Sequence, residues 1–128
     1  MSVPPTIEQL SHELAAGRTT AVALAEAALA RARDPAGEGA RVFTALGTER
    51  ALAAARASDL LRAAGVVRSP LEGIPVSIKD LFDVAGEVTT AGSAVLRDAA
   101  PAARSAPVVE RLIAAGAVIV GRTNMTEF

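Results

Sequence analysis

The sequence predicts an α/β chain, with amino-terminal helices followed by a strand–loop–helix–strand unit. Three observations lead there. Residues 6–64 carry apolar positions at helical spacing between recognisable caps. Val76–Ile78 and Ala117–Val120 are short runs rich in β-branched residues. A segment of helical period near 107–115 lies between those two runs, and strand, connection, helix, strand is the grammar of an α/β sheet.

The elements follow in order. Thr6-Ile7-Glu8-Gln9 has the T-x-x-Q form of a capping box, with Leu10 and Leu14 at helical spacing behind it and Gly17 as the stop. Thr19 or Thr20 caps a second helix whose Val22, Ala25, Leu29 and Ala32 form one narrow apolar stripe. That helix ends before Asp34-Pro35, and residues 35–39 read as a loop. Val42–Leu46 is apolar and fits either a strand or a helix. Thr48 reads as the cap of a third helix reaching about Gly65, with Ala51, Leu52, Ala55 and Leu61 inward and Glu49, Arg50, Arg56 and Asp59 in water.

Pro70 to Pro75 is turn chemistry, after which the strand Val76-Ser77-Ile78 delivers Lys79-Asp80 at its end. Asp83 to Ser93 holds few large apolar residues and reads as a long ordered loop. Ser105 reads as the cap of a helix with Pro107 in its first turn, Val108, Val109, Leu112 and Ile113 as its buried face, and Gly116 as its stop. Ala117–Val120 suits a strand covered on both faces. Thr123 to Phe128 reads as the opening of another helix.

Composition narrows the function. The 128 residues hold 13 Lys+Arg and 14 Asp+Glu, a formal net charge of −1, so no basic stripe exists to release counterions from nucleic acid or an anionic membrane. No nucleic-acid and no membrane partner is expected. There is no Cys and a single His, His12, which reads as ordinary surface beside Glu13; thiolate chemistry and zinc–sulfur sites are excluded. Roughly a quarter of the chain is Ala, Trp and Tyr are missing and Phe occurs three times, so the core is thin for its length. With the last segment read as an unfinished helix, the chain is expected to be an amino-terminal portion, marginal or aggregation-prone alone. Met1 to Pro5 lacks the basic and apolar regions of a signal peptide, and the apolar stretches near 21–30 and 112–120 are too short for a membrane span. A cytoplasmic location is expected.

Lys79 is the most informative titratable residue. It follows a strand and precedes Leu81-Phe82, and it has two readings: an ammonium taken out of water at a strand end and able to act as a base, or a solvated charge paired with adjacent Asp80. Thr89-Thr90-Ala91-Gly92-Ser93 is either a polar nest at a site rim or a turn satisfied by its own hydroxyls. Ser93 is not in a G-x-S-x-G elbow, and Gly73 and Gly86 sit in no phosphate-binding pattern, so no cofactor is expected. Asp80 and Asp83, with no His nearby in sequence, make a poor metal site, and none is expected.

These residues carry a resemblance. Pro70-Leu71-Glu72-Gly73-Ile74-Pro75-Val76-Ser77-Ile78-Lys79-Asp80, Thr89-Thr90-Ala91-Gly92-Ser93, Val109-Glu110-Arg111-Leu112, Ala114 to Gly121 and Thr123-Asn124-Met125 resemble, in order and spacing, the amidase signature family. The resemblance implies that residues 1–128 are the amino-terminal portion of one amidase domain, with a helical segment at 6–64 and the start of the α/β core at 70–128. That core would be part of a mixed sheet covered by helices. It implies hydrolysis of a carbon–nitrogen amide bond through an acyl-enzyme, on a small-molecule amide, by a Ser–cis-Ser–Lys triad with Lys79 as its base. None of Ser2, Ser11, Ser58, Ser69, Ser77, Ser93 or Ser105 sits in the family's Gly/Ser-rich motif, so the two serines are expected beyond Phe128 and these residues alone are expected to be inactive. Two alternatives stand beside this reading: the amidase subunit of a tRNA-dependent amidotransferase, and a non-catalytic α/β domain that binds a partner. Leu81 after Lys79-Asp80 and the Ala91-Gly92-Ser93 sequence lean toward a stand-alone amidase.

Overall fold

A computed structural model describes residues 3–128; Met1 and Ser2, part of the segment read above as no signal peptide, lie outside the described residues. Helix α1 (Ile7–Ala15) opens with the expected capping box: Thr6 Oγ1 accepts from Gln9 N and the Gln9 side chain accepts from Thr6 N. Gly17 ends it at φ +69°, a conformation only Gly adopts at little cost. Helix α2 (Ala21–Arg33) is capped by Thr20, whose hydroxyl accepts from Ala23 N. A short helix α3 (Gly39–Val42) runs straight into strand β1 (Phe43–Leu46), so the apolar run of open type is a strand except for Val42, which ends the helix, and Gly39, expected in the loop, begins it. Then come α4 (Thr48–Ala63), β2 (Pro75–Lys79), α5 (Pro107–Ala114) and β3 (Val118–Thr123).

The sheet order is β1-β3-β2, with β3 parallel to β2 and antiparallel to β1. β3 is the centre of the molecule because its side chains alternate between two apolar layers. Val118 and Val120 pack with Ala21, Ala25 and Leu29 of α2 and Ala51 and Ala55 of α4. Ile119 packs on the other face with Ile78, Val84, Val109 and Leu112. The expectation of a strand covered on both faces is met. The abundance of Ala has its use here: Ala21, Ala25, Ala51 and Ala55 are all essentially fully buried, and their small side chains let α2 and α4 approach each other closely over β3.

Several local expectations are corrected. The cap of α4 is Gly47, not Thr48; the Thr48 hydroxyl instead accepts from the Arg33 guanidinium. The cap of α5 is Ala106, not Ser105, whose Oγ accepts from Ala85 N (2.9 Å) and ties down the long loop. Asp59, expected in water, reaches across to the start of α2 and accepts from Ala21 N (2.8 Å) and Val22 N (3.1 Å). Of the expected α5 face only Val109 is buried, while Val108 and Ile113 are exposed, because a single stripe of this short helix meets the sheet. Residues 124–128 are not helical. Asn124 N donates to the Val42 carbonyl and Phe128 N to the Ala91 carbonyl, which draws this segment out along the sheet end. Among the described residues no helix is long and apolar enough to cross a membrane.

Candidate active site

The carboxyl ends of the parallel strands β2 and β3 gather most of the residues singled out above, the usual place for a site in an α/β sheet. Lys79 is the last residue of β2 and lies in register with Thr123, the last of β3. Asp80 N continues the ladder by donating to Thr123 O (2.9 Å). The Thr89–Ser93 loop folds back onto this end: Ala91 N donates to Asp80 O (2.8 Å), and Ser93 Oγ donates to Glu127 Oε1 (2.7 Å). Three blocks far apart in sequence thus meet at one corner. His12 is exposed on α1 and takes no part.

The corner is tightly made. Ala91 is held at φ +50°, in the left-handed region that an L side chain enters at a cost of roughly 1–2 kcal/mol. Gly92 follows at φ +69°, and a Cβ there would lie 2.6 Å from the Met125 carbonyl oxygen. The loop therefore needs Gly at 92 both for its dihedral angle and for its approach to the chain after β3.

Lys79 itself is exposed, whereas Ile78 and Asp80 on either side are 4% and 1% exposed. The strand-end burial read from sequence is not met within these residues. The reason is position: β2 is the outer strand of the β1-β3-β2 sheet, and Lys79 is its last residue. The alternative reading, a Lys79–Asp80 pair, is replaced by a different arrangement. The Asp80 carboxylate turns inward to Arg122 of β3, with Arg122 Nη2 at 3.1 Å from Oδ1. It also accepts from Thr90 N (3.2 Å), from the Thr90 hydroxyl, and from Thr44 Oγ1 of β1 (3.4 Å).

Arg122 is 3% exposed and is the hub of a buried polar cluster. Nη2 also donates to the Phe82 carbonyl (2.6 Å), and Nη1 pairs with Glu87 (3.0 Å), which in turn meets Arg50 (3.4 Å). Its Nε has no partner, the one such buried side-chain nitrogen or oxygen among the described residues. Beside it lies a cavity of about 420 Å³ walled by Thr44, Leu46, Asp80, Glu87, Thr90 and Arg122. A second hollow of about 340 Å³ touches Thr44, Thr90, Gly92, Ser93, Arg97 and Asn124. Lys79 lines neither. Asp83 accepts from the Thr89 hydroxyl (2.8 Å) and supports the loop, so the two aspartates have separate structural partners.

Sequence reasoning missed Arg122 and Glu87. A signal was present: an Arg inside an otherwise apolar central strand must find a carboxylate, since an unpaired buried guanidinium is far too costly. The same holds for Glu72 in the turn before β2, which is fully buried. Its carboxylate accepts from Ser58 Oγ (2.7 Å) and from Arg68 Nε and Nη2 (both 2.6 Å). These bonds from Arg68, with a smaller one from Ser58, outweigh burial and draw the Glu72 carboxyl down to about 2.

The family model for amidases matches residues 23–128. A glutamyl-tRNA(Gln) amidotransferase subunit of Chloroflexus aggregans is 48% identical over 125 residues, which is 96% of this chain and 25% of that protein. The AtzE subunit of the 1-carboxybiuret hydrolase of Pseudomonas sp. (strain ADP) is 46% identical, over 94% of this chain and 26% of its own length. The crystal structure of native peptide amidase from Stenotrophomonas maltophilia superposes with a TM-score of 0.88 at 35% identity, across 98% of this chain and 26% of that one. The chain spans about a quarter of the length of the relatives it matches. With its helix-covered mixed sheet and its match over residues 23–128, the chain belongs to the amidase family.

Proposed function

We propose that these residues form the amino-terminal part of an enzyme that hydrolyses a carbon–nitrogen amide bond, with Lys79 as the base of a Ser–cis-Ser–Lys triad. The two serines come from sequence outside residues 1–128. One observation carries the reading: Lys79 stands at the carboxyl end of a parallel strand in an amidase-family chain, and the carboxylate beside it in sequence is engaged by Arg122. Lys79 is thereby left free of that carboxylate. In the mechanism, the neutral amine takes a proton through the cis-serine from the nucleophilic serine. That serine attacks the amide carbonyl, ammonia or an amine leaves, and water releases the acid from the acyl-enzyme. The rest of the fold supplies the burial that Lys79 lacks within these residues.

The test is ammonia release from L-glutamine and from a peptide amide by the full polypeptide that carries these residues. Lys79→Ala should lower turnover by about 10²- to 10⁴-fold, the usual contribution of a positioned base. Lys79→Arg should not rescue it, because guanidinium stays protonated and accepts no proton. Wild-type rates in the folded Lys79→Ala protein would remove Lys79 from the chemistry. Residues 1–128 alone should release no ammonia.

A second reading has its own support. Relatives at 48% and 51% identity are glutamyl-tRNA(Gln) amidotransferase subunits, so the expectation of no nucleic-acid partner and the lean toward a stand-alone amidase lose ground. On this reading the polypeptide works within an amidotransferase of several subunits. Amidation of glutamyl-tRNA(Gln) once partner subunits have been supplied, with little hydrolysis of free amides in their absence, would favour it.

A further inference from the structure

The geometry assigns Asp80 a positioning role: with Thr90 and Arg122 it clamps the corner from which Lys79 projects, and so sets where the base stands. This rests on Lys79 being the base. Lys79 is on a flexible stem and its own side chain is exposed, so its placement depends on how firmly its backbone is held. The next residue is held from every side. Asp80 N is bonded to β3 through Thr123 O and Asp80 O to the loop through Ala91 N. Its carboxylate is bonded to Thr90 twice, to Arg122 of β3 and to Thr44 of β1. One side chain therefore joins all three strands to the 89–93 loop.

The clamp also explains the left-handed Ala91. The residue stays at φ +50° because Asp80 O holds its N–H and Phe128 N holds its carbonyl (3.0 Å). Release of the Asp80 carboxylate from Thr90 would let Ala91 relax and loosen the end of β2. A shift of about 1 Å in a reacting group costs about 10²-fold in rate, so the effect belongs in the chemical step rather than in substrate binding.

The experiment uses the full polypeptide and four variants: Thr90→Val, Thr90→Ser, Asp80→Asn and Lys79→Ala. Thr90→Val keeps the shape and deletes the hydroxyl, whereas Thr90→Ser keeps the hydroxyl. We expect Thr90→Val to lower kcat for L-glutamine or a peptide amide by about 10-fold and Asp80→Asn by about 10²-fold, with KM within about two-fold. Thr90→Ser should stay within about two-fold of wild type. Hydrogen exchange at the Ala91 and Phe128 amides should quicken in Thr90→Val and not in Thr90→Ser. A purely structural bond would lower the melting temperature and leave kcat per folded molecule unchanged, which overturns the proposal. So does a rise in KM at constant kcat, or unchanged exchange at Ala91. Should Asp80→Asn not fold, the two Thr90 variants decide. Lys79→Ala separates the layers: its wild-type turnover refutes the base itself, whereas its inactivity beside a fully active Thr90→Val refutes the clamp alone.

Discussion

Glu72 offers the sharpest link between this fold and a measurable stability. Its carboxylate is fully buried in the turn before β2, bonded to Arg68 and Ser58 and pressed against Gly116, where a Cβ would lie 2.6 Å from Oε2. A folded-state value of about 2 against an ordinary 4.5 means that the folded chain holds the charged form more tightly than the unfolded chain does. The stability from this pair is thus complete above about pH 4.5 and is lost as the pH falls toward 2. The shift corresponds to about 3 kcal/mol, and because Arg68 is partly open to water, screening reduces that to about 1–2 kcal/mol. Glu72→Gln preserves the shape and removes the charge. In urea unfolding at pH 7 the variant should be less stable than wild type by about 1–2 kcal/mol, and most of that gap should be gone at about pH 2. Measuring both proteins at both pH values cancels the other carboxylates. A gap that stays constant or widens on acidification would refute the argument.

Two further outcomes follow from the packing. Asp59→Ala should cost about 1–2 kcal/mol and quicken hydrogen exchange at Ala21 and Val22, because two amides at the start of α2 lose their acceptor; Asp59→Asn, which keeps one acceptor, should cost less. Gly39→Ala should destabilise the fold by about 2 kcal/mol or more in denaturant melts, since the added methyl falls on the Ala32 carbonyl at the α2–α3 contact; a neutral effect would mean that this turn can shift freely.

Much of the architecture follows from local sequence alone. Caps and stops are short-range devices: the Thr6 capping box, the Thr20 cap, and Gly17 and Gly116 at positive φ can each be read from a few neighbouring residues. The β-branched run at 118–120 declares a doubly covered strand for the same reason, because a strand with no polar face must be buried on both. Lys79 and the Thr89–Ser93 block were legible as candidates through their order and spacing. What sequence could not fix was the partner of each charged group, because such pairs join residues far apart in the chain. Asp80 stands beside Lys79 in sequence yet turns to Arg122, and Asp59 leaves its own helix to cap α2. Strand β1 was ambiguous for a related reason, since a four-residue stretch with three apolar residues becomes a strand only when β3 offers an edge. The sequence by itself determined α1, α2, α4, α5 and the strands β2 and β3, and singled out Lys79 as a candidate; only the tertiary structure decided the state of residues 39–46 and 124–128 and which carboxylate faces which cation, because a buried charge takes the partner that the packing brings within reach.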